Sequence, residues 1–489
     1  MNDKIKLTDS QDRVLKALKA FVVNPDERVF ILKGYAGTGK TTLMHFLVKH
    51  LVEQKREYKL LAPTGRAAKV LSDMAAENRF EGEGGRTIHS LIYRYAGFNR
   101  ELKKEELESA HASGQLCLNF SFDPLDLTRG AIPTVYIVDE SSMIGNTQGQ
   151  PSNQAYFGSG KLLDELMQYD QLPGSKFIFV GDPCQLPPVG DIVSPAMEEM
   201  SFKPAAHSEQ LTEIVRQRGS NDIIRLSKEI RKKIANAPDA ETAYGGMRCW
   251  TKLPFRRSPN VALHSNLEDM VGCYVRQIKA NGYNKSTFVC QTNKQATELS
   301  AKVRRMLGLG GNLPMKGDLM MVIQNNGPSG LVNGDLVEVM EVSPLVKQRA
   351  MLSFVKVKVK ECVSDREFSS LLLLDTLNAN VLNLTMNQQS ELFIEFCCRM
   401  NKQGIKPKPG NPQFDEALQK DPYLNALRCM YGYAITCHKA QGGEWDEVYL
   451  HVMRNIGLNP TKQVYRWLYT AITRAKQTLH MVDDRLYLE

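Results

Sequence analysis

The stretch VFILKGYAGTGKTTLMHFLV, residues 29–48, decides the fold of the N-terminal half of this chain. An apolar run that predicts a buried strand leads through the loop GYAGTGKT into an apolar helical pattern. In that context the loop turns successive backbone N–H groups toward phosphate oxygens, and the helix N-terminus adds its positive end. The segment therefore predicts a phosphate-binding loop. The residues expected to bind the nucleotide are Gly37, Thr38, Gly39, Lys40, Thr41 and Thr42.

A pair of carboxylates, Asp139 and Glu140, supplies the hydrolytic half of the predicted site. The pair follows the apolar strand VYIV, so we expect it at the carboxyl end of a buried strand, beside the phosphate loop. Lys40 is expected to neutralise phosphate charge, while the Thr41 hydroxyl and Asp139 hold Mg2+. Glu140 is expected to orient and deprotonate the attacking water. These residues predict an enzyme that hydrolyses a nucleoside triphosphate with Mg2+, while the phosphate loop alone would equally suit a kinase, a GTPase or a motor.

Strand and helix patterns alternate along much of the chain. The apolar runs RVFILKG, YKLLAPTG, TVYIVDE and KFIFVGD predict a parallel sheet with helices on both faces, and this first α/β domain is assigned to residues 1–91 and 131–218. A second strand–turn–helix begins at STFVCQTNKQATELSAKV and is completed only near the C-terminus. The second α/β domain is therefore assigned to residues 219–335 and 426–489.

Each predicted α/β domain is interrupted by an insertion. Residues 92–130 combine a charged run with the alternating CLNFSFD, which indicates a small excursion from the first domain. Residues 336–425 contain VKVKVK, with strict period two, followed by a helix, a Pro/Gly turn and a second helix. Asn333-Gly334 predicts a tight hairpin at the start of this second insertion. A small β module with a helical extension is the expected result.

Net charge, apolar runs and cysteine spacing limit the classes of protein to which the chain can belong. The 489 residues carry a formal net charge of +8, which suits a polyanionic partner and equally a slightly basic enzyme. No run approaches the length of about 18 apolar residues that a membrane span needs, and the N-terminus lacks a signal-peptide core, so we expect a cytoplasmic protein. The ten cysteines show no CxxC spacing, which indicates neither a zinc knuckle nor a disulfide framework.

Four further residues are candidates for the nucleotide site. Arg474, in YTAITRAK of the second domain, is expected to reach across a cleft and stabilise charge on the transferring phosphoryl group. Arg216, in LTEIVRQ, is a second candidate for that role. Gln185 is expected to sense the γ-phosphate, or else to stiffen a Pro-rich loop, and Gln11 is expected to contact the adenine edge.

Nine segments now occur in a recognisable order: LTDSQ, GYAGTGKTT, LLAPTGRAAKVL, TIHSLI, VDES, GDPCQLPPVG, LTEIVRQ, ITCHKAQGGEWD and YTAITRAK. This order resembles that of the superfamily-one helicases, and more narrowly their RecD-like branch and the Dda helicases of tailed phages. The resemblance implies two RecA-like P-loop NTPase domains that bind ATP between them, with a pin-bearing insertion in the first and a β-barrel-like and helical insertion in the second. It also implies that Gly443 and Glu444 lie near the sugar or the γ-phosphate.

The same resemblance implies a set of single-stranded DNA contacts. Short hydroxyls, amides and backbone N–H groups suit this role because they bind phosphates without reading sequence. The implied contacts are Pro63, Thr64, Thr87 and His89 in the first domain and Thr292, Asn293, Thr436 and His438 in the second. The residues themselves leave another interpretation of the two histidines open, namely an imidazole that bonds a local backbone carbonyl.

An aromatic side chain in the first insertion is expected to form the tip of the pin. Phe98 is the principal candidate, and Phe120 and Phe122 are the others. Stacking on an opening base pair is worth about 1–3 kcal/mol, the scale of one base-pair step. The competing interpretation places these rings in a small local core.

The resemblance implies an ATP-dependent DNA helicase that moves 5′ to 3′ on single-stranded DNA, works as a monomer and separates forked duplexes. A phage source, activity in the host cytoplasm and association with a single-strand-binding protein follow from the same likeness. Two other functions stay open from the residues: an ATP-gated single-stranded DNA-binding or assembly factor with little unwinding, and an RNA helicase, since backbone contacts tolerate both sugars.

Overall fold

The structure is a computed structural model, and it describes residues 7–77, 84–98, 120–127, 132–146, 155–215, 221–237, 255–379, 383–408, 411–453 and 461–484. Two parallel sheets, each with its own helices, form the framework of the described chain. Among the described residues, no helix combines the length and apolar character needed to cross a lipid bilayer.

The first sheet has six parallel strands in the order β3-β2-β6-β8-β1-β9. Every residue of β6 and β8 is buried, as expected for central strands covered on both faces. The strands are β1 (Val29–Gly34), β2 (Glu57–Ala62), β3 (Arg86–Thr87), β6 (Thr134–Val138), β8 (Lys176–Gly181) and β9 (His207–Leu211). The helices of this domain are α1 (Asp9–Val23), α2 (Lys40–Glu53), α3 (Gly65–Glu77), α4 (Ile88–Ile92) and α5 (Leu162–Tyr169).

Alternate residues of β1 pack on opposite faces of this sheet. Phe30 and Leu32 join the core formed with α1 and α2, whereas Val29 and Ile31 join the core that includes α4 and α5. This period-two division is the reason that the short run VFIL is apolar at every position. It places the loop after Gly34 at the carboxyl edge of the sheet.

The second sheet has five parallel strands in the order β10-β19-β18-β11-β17. These strands are β10 (Val261–His264), β11 (Ser286–Cys290), β17 (Ala434–Thr436), β18 (Trp445–Leu450) and β19 (Ala475–Val482). The associated helices are α6 (Asp222–Asn236), α7 (Leu267–Asn281), α8 (Asn293–Met306), α12 (Cys437–Ala440) and α13 (Lys462–Ile472). The predicted fold class, two RecA-like α/β domains with one insertion each, is confirmed by these sheets and the two that follow.

The second insertion contains an antiparallel sheet in the order β15-β14-β13-β12-β16. Its strands are β12 (Leu319–Val322), β13 (Leu336–Arg349), β14 (Leu352–Glu361), β15 (Glu367–Leu373) and β16 (Cys429–Tyr431), and its helices are α9 (Leu374–Ala379), α10 (Met386–Lys402) and α11 (Pro412–Lys420). The sheet thus extends beyond the assigned range 336–425 at both ends, because β12 and β16 close it.

The tight hairpin predicted at Asn333-Gly334 is wrong. Gly334 has a positive φ of 99°, but it belongs to a long connection between β12 and β13. The tight turn instead joins β13 to β14 at Ala350 and Met351, whose φ values are +45° and +58°. Neither residue is a type that signals such a turn, so the sequence pattern pointed to the wrong place.

The first insertion contributes a small three-stranded sheet in the order β4-β5-β7. Strand β4 (Tyr93–Phe98) pairs antiparallel with β5 (Phe120–Pro124), and β7 (Ala155–Phe157) joins β5 in parallel. The insertion sheet therefore recruits a strand from beyond the assigned range 92–130.

Candidate nucleotide site and nucleic-acid interface

A cleft of about 800 Å³ lies between the two parallel sheets. One wall comes from the carboxyl edge of the first sheet, and the facing wall comes from the loops after α12 and α13 of the second domain. Of the predicted nucleotide residues, those lining the cleft are Gln11, Gly37, Gly39, Lys40, Thr41, Thr42, Asp139, Glu140, Gln185, Gly443, Glu444 and Arg474. The structure thus brings together in one space residues that are more than four hundred positions apart in sequence.

The phosphate loop has the backbone that its glycines permit. Gly37 and Gly39 have φ values of +79° and +80°, a region that favours glycine. A Cβ on Gly39 would lie 2.3 Å from the Gln11 amide nitrogen, so space as well as backbone conformation requires glycine here. Thr38 is the predicted loop residue that does not line the cleft, since it is fully buried and its hydroxyl donates to the Tyr35 carbonyl at 2.8 Å.

The Lys40 ammonium group lies against its own loop. Nζ donates to the Gly34 carbonyl at 2.7 Å and to the Tyr35 carbonyl at 3.2 Å. These contacts hold a positive charge at the centre of the loop, at the N-terminus of α2. A phosphate entering the loop would replace carbonyl acceptors with charged oxygens, which are stronger acceptors for an ammonium group.

Gln11 joins the start of α1 to the phosphate loop. Its Oε1 accepts from the Thr8 N–H at 3.0 Å in a capping box, and its Nε2 donates to the Thr38 carbonyl at 3.0 Å. These two bonds use Oε1 and one of the two N–H groups of the Gln11 amide, so the second N–H is left over. The predicted adenine contact therefore stays a prediction, and its geometry would depend on that remaining donor.

Asp139 and Glu140 lie directly after β6, at the cleft wall. Burial, reinforced by the neighbouring Glu140 charge, raises the pKa of the Asp139 carboxyl to about 7, and the Lys40 charge acts in the opposite direction. Glu140 has φ +51° and ψ +36°, a left-handed conformation that is strained for a non-glycine residue. Such strain at a cleft favours a functional role, because it directs the carboxylate away from the path of the strand.

Gln185 follows β8 and is 5% exposed. Within the described part of the chain its Oε1 is buried without a hydrogen-bond partner. A buried polar atom in this condition is costly unless a ligand or water completes it. The Lys40 ammonium and the Thr41 and Asp139 side chains at the same cleft fit a triphosphate with its divalent metal. The orphaned Gln185 Oε1 is an acceptor, so it fits a water molecule beside the phosphates.

Arg474 is 3% exposed and lies between α13 and β19, where it lines the cleft. Its guanidinium donates to the Thr470 carbonyl at 3.0 Å, the Gly443 carbonyl at 3.2 Å and the Thr473 hydroxyl at 3.2 Å. These three bonds fix the cation on the wall facing the phosphate loop. The juxtaposition expected from the sequence, in which one domain supplies the loop and the other an arginine, is therefore present.

Arg66 is a cleft residue that sequence reasoning missed. It follows the Pro63-Thr64 turn, and its guanidinium lies 4.3 Å from the centre of the Trp445 ring of the second domain. Burial lowers its pKa to about 10, with Asp335 opposing the effect and Arg474 adding to it. The sequence pattern that could have identified Arg66 is a basic residue directly after the turn that ends a strand, in LLAPTGRAAKVL.

Tyr469 is a second missed residue, and it connects the domains. Its hydroxyl accepts from the Ala36 N–H of the phosphate loop at 3.0 Å and donates to Asp182 at 2.7 Å. Nearby, the Leu186 N–H donates to the Thr470 hydroxyl at 2.9 Å. Two consecutive residues of α13 thus contact both the phosphate loop and the segment that carries Gln185.

Arg216 lies outside the described residues. The residue before it, Val215, lines the cleft and donates its N–H to the Gly37 carbonyl at 2.9 Å. The predicted role of Arg216 stays a prediction.

The predicted nucleic-acid contacts of the first domain follow β2 and β3. Thr64 accepts from the Ala67 N–H at 3.3 Å at the start of α3, and Thr87 accepts from the Ser90 N–H at 3.1 Å at the start of α4. Pro63 directly precedes Thr64 at the same sheet edge. Both hydroxyls therefore cap helices, and the N-terminal turns of α3 and α4 point outward from the sheet edge.

His89 packs against aromatic rings. Its ring centre lies 5.0 Å from that of Phe157, in a T-shaped arrangement, and 5.6 Å from that of Tyr93. Burial lowers its pKa, and the Glu165 charge opposes that shift. The imidazole is thus neutral and half-buried at the base of the insertion sheet.

In the second domain the predicted contacts follow β11 and β17. Thr292 and Asn293 are exposed at the start of α8, where Thr292 caps the helix by accepting from the Gln295 N–H at 3.2 Å. Thr436 begins α12 without a side-chain capping bond, and burial lowers the pKa of His438. The predicted DNA residues of both domains thus lie at carboxyl edges of parallel strands, the usual place for ligands in such sheets.

The described aromatic residue of the predicted pin is part of a small core. The Phe122 ring stacks on Phe157 with centres 4.6 Å apart and an interplanar angle of 18°. Phe98 and Phe120 pair across β4 and β5, while their side chains lie outside the described part of the structure. The local-core interpretation holds for Phe122, and Phe98 remains the predicted tip.

Comparisons with known proteins agree with this geometry. A family model described as AAA domain matches residues 6–251, and one described as UvrD-like helicase C-terminal domain matches residues 431–482. The chain is 23% identical over 525 residues to the uncharacterized protein R530 of Acanthamoeba polyphaga mimivirus, covering 96% of this chain and 98% of that protein. It is 29% identical over 222 residues to the ATP-dependent RecD2 DNA helicase of Deinococcus radiodurans, covering 45% of this chain and 23% of that protein.

Among solved structures, the Pif1 helicase from Bacteroides in complex with ADP-AlF3 and ssDNA has a TM-score of 0.47 and 15% identity, covering 99% of this chain and 95% of that one. The Pif1 helicase from Candida albicans has a TM-score of 0.43 and 19% identity, with coverage of 99% and 95%. The AAA-domain model spans half of the 489 residues and contains the phosphate loop, Glu140 and Gln185, while the UvrD-like model contains Arg474. The chain therefore belongs to the AAA domain family.

Proposed function

We propose that this protein is an ATP-dependent helicase of superfamily one that acts on DNA, hydrolysing ATP in the cleft between its two parallel sheets in order to move along one strand and separate a duplex. The observation that carries the proposal is the shared cleft. The phosphate loop of one domain and Arg474 of the other line the same space of about 800 Å³. ATP bound in this cleft contacts both domains, so its hydrolysis changes how the two domains pack against each other.

The chain's own groups would act on the triphosphate as follows. Lys40 exchanges its Gly34 carbonyl for phosphate oxygens, and Arg474 approaches the γ-phosphate from the opposite wall. Glu140 takes a proton from the attacking water at its carboxylate. Mg2+, when held by the Thr41 hydroxyl and Asp139, neutralises phosphate charge. The raised pKa of Asp139 supports that assignment, because a buried carboxylate of this kind is stabilised by a nearby cation.

Tyr469 and Gln185 would transmit the state of the nucleotide. The Tyr469 hydroxyl bonds Ala36 of the phosphate loop and Asp182, three residues before Gln185. Gln441, at the end of α12, donates to the Leu186 carbonyl at 3.1 Å. The segment around Gln185 is therefore held by side chains of the second domain. A movement of that segment toward a γ-phosphate also moves α12, which carries His438 and follows Thr436.

Single-stranded DNA is proposed to run across the carboxyl edges of both sheets. Support comes from the placement of the predicted contact residues at those edges and from helix N-termini that suit phosphates. Movement from 5′ to 3′, forked duplexes as substrates, and membership of the RecD-like branch with closest relation to the Dda helicases of tailed phages are proposed from the motif resemblance. A monomeric working unit, a single-strand-binding partner and a cytoplasmic location, in the host if the source is a phage, have the same support.

Strand displacement on matched forks tests the function. Duplexes with a single 5′ tail, a single 3′ tail or both would be offered to the wild-type chain and to Lys40→Ala, with ATP hydrolysis followed in parallel. We expect unwinding that needs a 5′ tail and ATP, and neither activity from Lys40→Ala. DNA-stimulated hydrolysis without unwinding would favour an ATP-gated binding or assembly factor, and stronger stimulation by RNA than by DNA would favour an RNA helicase.

A further inference from the structure

A cluster of two histidines and a cysteine lies in the second domain, apart from the residues that line the nucleotide cleft. His264 ends β10, His480 lies on the paired strand β19, and Cys273 lies on α7. One ligand atom from each residue can be chosen so that all three lie within 4.8 Å of one another. His264 and His480 are 216 positions apart, so no spacing pattern announced the cluster.

The two imidazoles face each other through one nitrogen each. His264 Nε2 lies 3.0 Å from His480 Nδ1, and the rings are stacked at an interplanar angle of 27°. Tyr449 stacks on His480 from the other side with ring centres 4.1 Å apart and an angle of 9°. The rings are thus held in place by packing, which fixes the direction of their inner nitrogens.

The outer nitrogen of each imidazole faces a carboxylate. His480 Nε2 lies 3.3 Å from Glu447 Oε2, and His264 Nδ1 lies 3.6 Å from Asp269 Oδ2. Glu447 is itself held by the Gln277 amide at 2.9 Å and the Tyr449 hydroxyl at 3.0 Å. Metal-binding histidines characteristically place their second N–H toward a carboxylate, which fixes the tautomer and leaves the other nitrogen free to bind.

The inner nitrogens are 3.0 Å apart, so without a metal ion one of them donates a hydrogen bond to the other. A metal ion binds the lone pair of a neutral imidazole, so it would replace this hydrogen bond and hold both rings. The Cys273 thiol supplies a third ligand atom within 4.8 Å of the other two.

We propose that His264, Cys273 and His480 form a binding site for a transition-metal ion with the preferences of Zn2+. Imidazole and thiolate are the ligands that this ion favours, at about 2.0–2.1 Å for nitrogen and about 2.3 Å for sulfur. Bonds of that length bring ligand atoms to within about 4 Å of one another, so the present cluster needs only a small contraction. A water would supply the fourth position.

The ion would clamp α7 to the edge of the second sheet. Strand β10 is an edge strand that pairs only with β19 in the order of this sheet, and α7 follows it directly. A metal ion bound by Cys273 on α7 and by His264 and His480 on the two strands would join the helix to the edge of the sheet, whether or not ATP is bound. The site therefore serves the stability of the second domain and is separate from the nucleotide chemistry.

Metal analysis of the full chain tests this proposal. Protein saturated with Zn2+ and then desalted would be assayed for bound metal, and Co2+ would be added to metal-free protein to look for a thiolate-to-cobalt charge-transfer band. We expect one tightly bound ion in the wild type and in Cys397→Ser, a control that removes a comparably half-buried thiol from the helical insertion. Cys273→Ser is expected to lose the charge-transfer band and to bind Zn2+ at least about tenfold more weakly.

A second variant keeps the test decisive should Cys273→Ser fold poorly. Glu447→Gln leaves all three ligands in place and should weaken Zn2+ binding by about 10- to 100-fold, since an amide orients the imidazole less strongly than a carboxylate. Zn2+ should also raise the melting temperature of wild type and not that of Cys273→Ser. Wild-type protein that binds no Zn2+ or Co2+, or a Cys273→Ser variant that binds both like wild type, would overturn the proposal and leave the hydrogen bond between His264 and His480 as the contact that joins the two rings.

Discussion

The hydroxyl oxygen of Tyr469 lies 3.0 Å from the backbone nitrogen of Ala36, so a side chain of the second domain holds the phosphate loop of the first. The same hydroxyl donates to the fully buried Asp182. Burial and the Asp182 charge raise the Tyr469 pKa well above its ordinary value, so the hydroxyl keeps its proton at any working pH. The second domain therefore contributes a neutral hydroxyl to a directional contact between the domains.

Tyr469→Phe should uncouple the domains. Loss of the hydroxyl leaves a buried acceptor and donor unpaired, which costs about 1–3 kcal/mol. We expect DNA-stimulated ATP hydrolysis to fall by at least about fivefold, on that scale, while nucleotide binding is retained. Tyr274→Phe is the matched control, because its buried hydroxyl bonds the Tyr433 carbonyl within the second domain. Equal losses in both variants would assign the effect to general destabilisation.

Glu140→Gln should bind ATP and hydrolyse it about 10²- to 10⁴-fold more slowly, because an amide cannot accept the proton of the attacking water. Single-turnover hydrolysis measured beside nucleotide binding separates the two steps. Asp73→Asn changes another carboxylate at the cleft wall to an amide and should behave like wild type. Near-normal turnover of Glu140→Gln would remove Glu140 from the proposed role.

Gly443→Ala should disturb the second-domain wall of the cleft. A Cβ at this position would lie 2.7 Å from the Trp445 ring and 2.8 Å from the Arg66 guanidinium carbon. Overpacking of this kind costs about 1–3 kcal/mol, and we expect a higher KM for ATP with a modest loss of stability. Gly310→Ala, with no atom within 4 Å of the added carbon, is the control and should change neither.

Arg474→Lys should retain a positive charge and lose the transition-state contact. The planar guanidinium is anchored by three hydrogen bonds, and the compact ammonium group of lysine cannot reproduce their geometry. We expect kcat to fall by about 10³-fold or more with ATP affinity nearly unchanged. A variant with wild-type kcat and weaker ATP binding would make Arg474 a ground-state contact instead.

Lys439 should make stability of the second domain depend on pH. Burial lowers its pKa from 10.5 to about 8, so the unfolded chain binds more protons than the folded chain between these values, and stability should rise with pH across that window. The shift of 10.5 − 8 = 2.5 corresponds to roughly 3 kcal/mol as an upper bound. Lys439→Met should remove this rise in urea unfolding at pH 7 and pH 9.5.

The exposed Lys420 provides the control for that measurement, since its ion pair with Glu416 is surrounded by solvent. Lys420→Met should leave the pH dependence unchanged. An unaltered rise in Lys439→Met would assign the titration to another group.

The phosphate loop and Arg474 were predictable because each belongs to a continuous motif whose chemistry needs those residue types. Arg66 and Tyr469 were not, because their roles arise only when Trp445 and Ala36 of the other domain come within contact distance. The His264, Cys273 and His480 cluster likewise depends on strand pairing across 216 positions. The turn residues gave no signal at Ala350 and Met351, where the two-residue connection between the paired residues Arg349 and Leu352 requires positive φ values that these residues disfavour.

Strand β19 lies between β10 and β18, although it is made from residues 475–482. A chain still emerging from the ribosome cannot close this sheet until those residues are free, because β19 is the strand that pairs with β10 among the described strands of this sheet. The first domain, whose strands all precede residue 212, can fold during synthesis. Newly made protein should therefore acquire the phosphate loop early and its arginine partner only after residues 475–482 have left the ribosome, so the motor stays inactive until then.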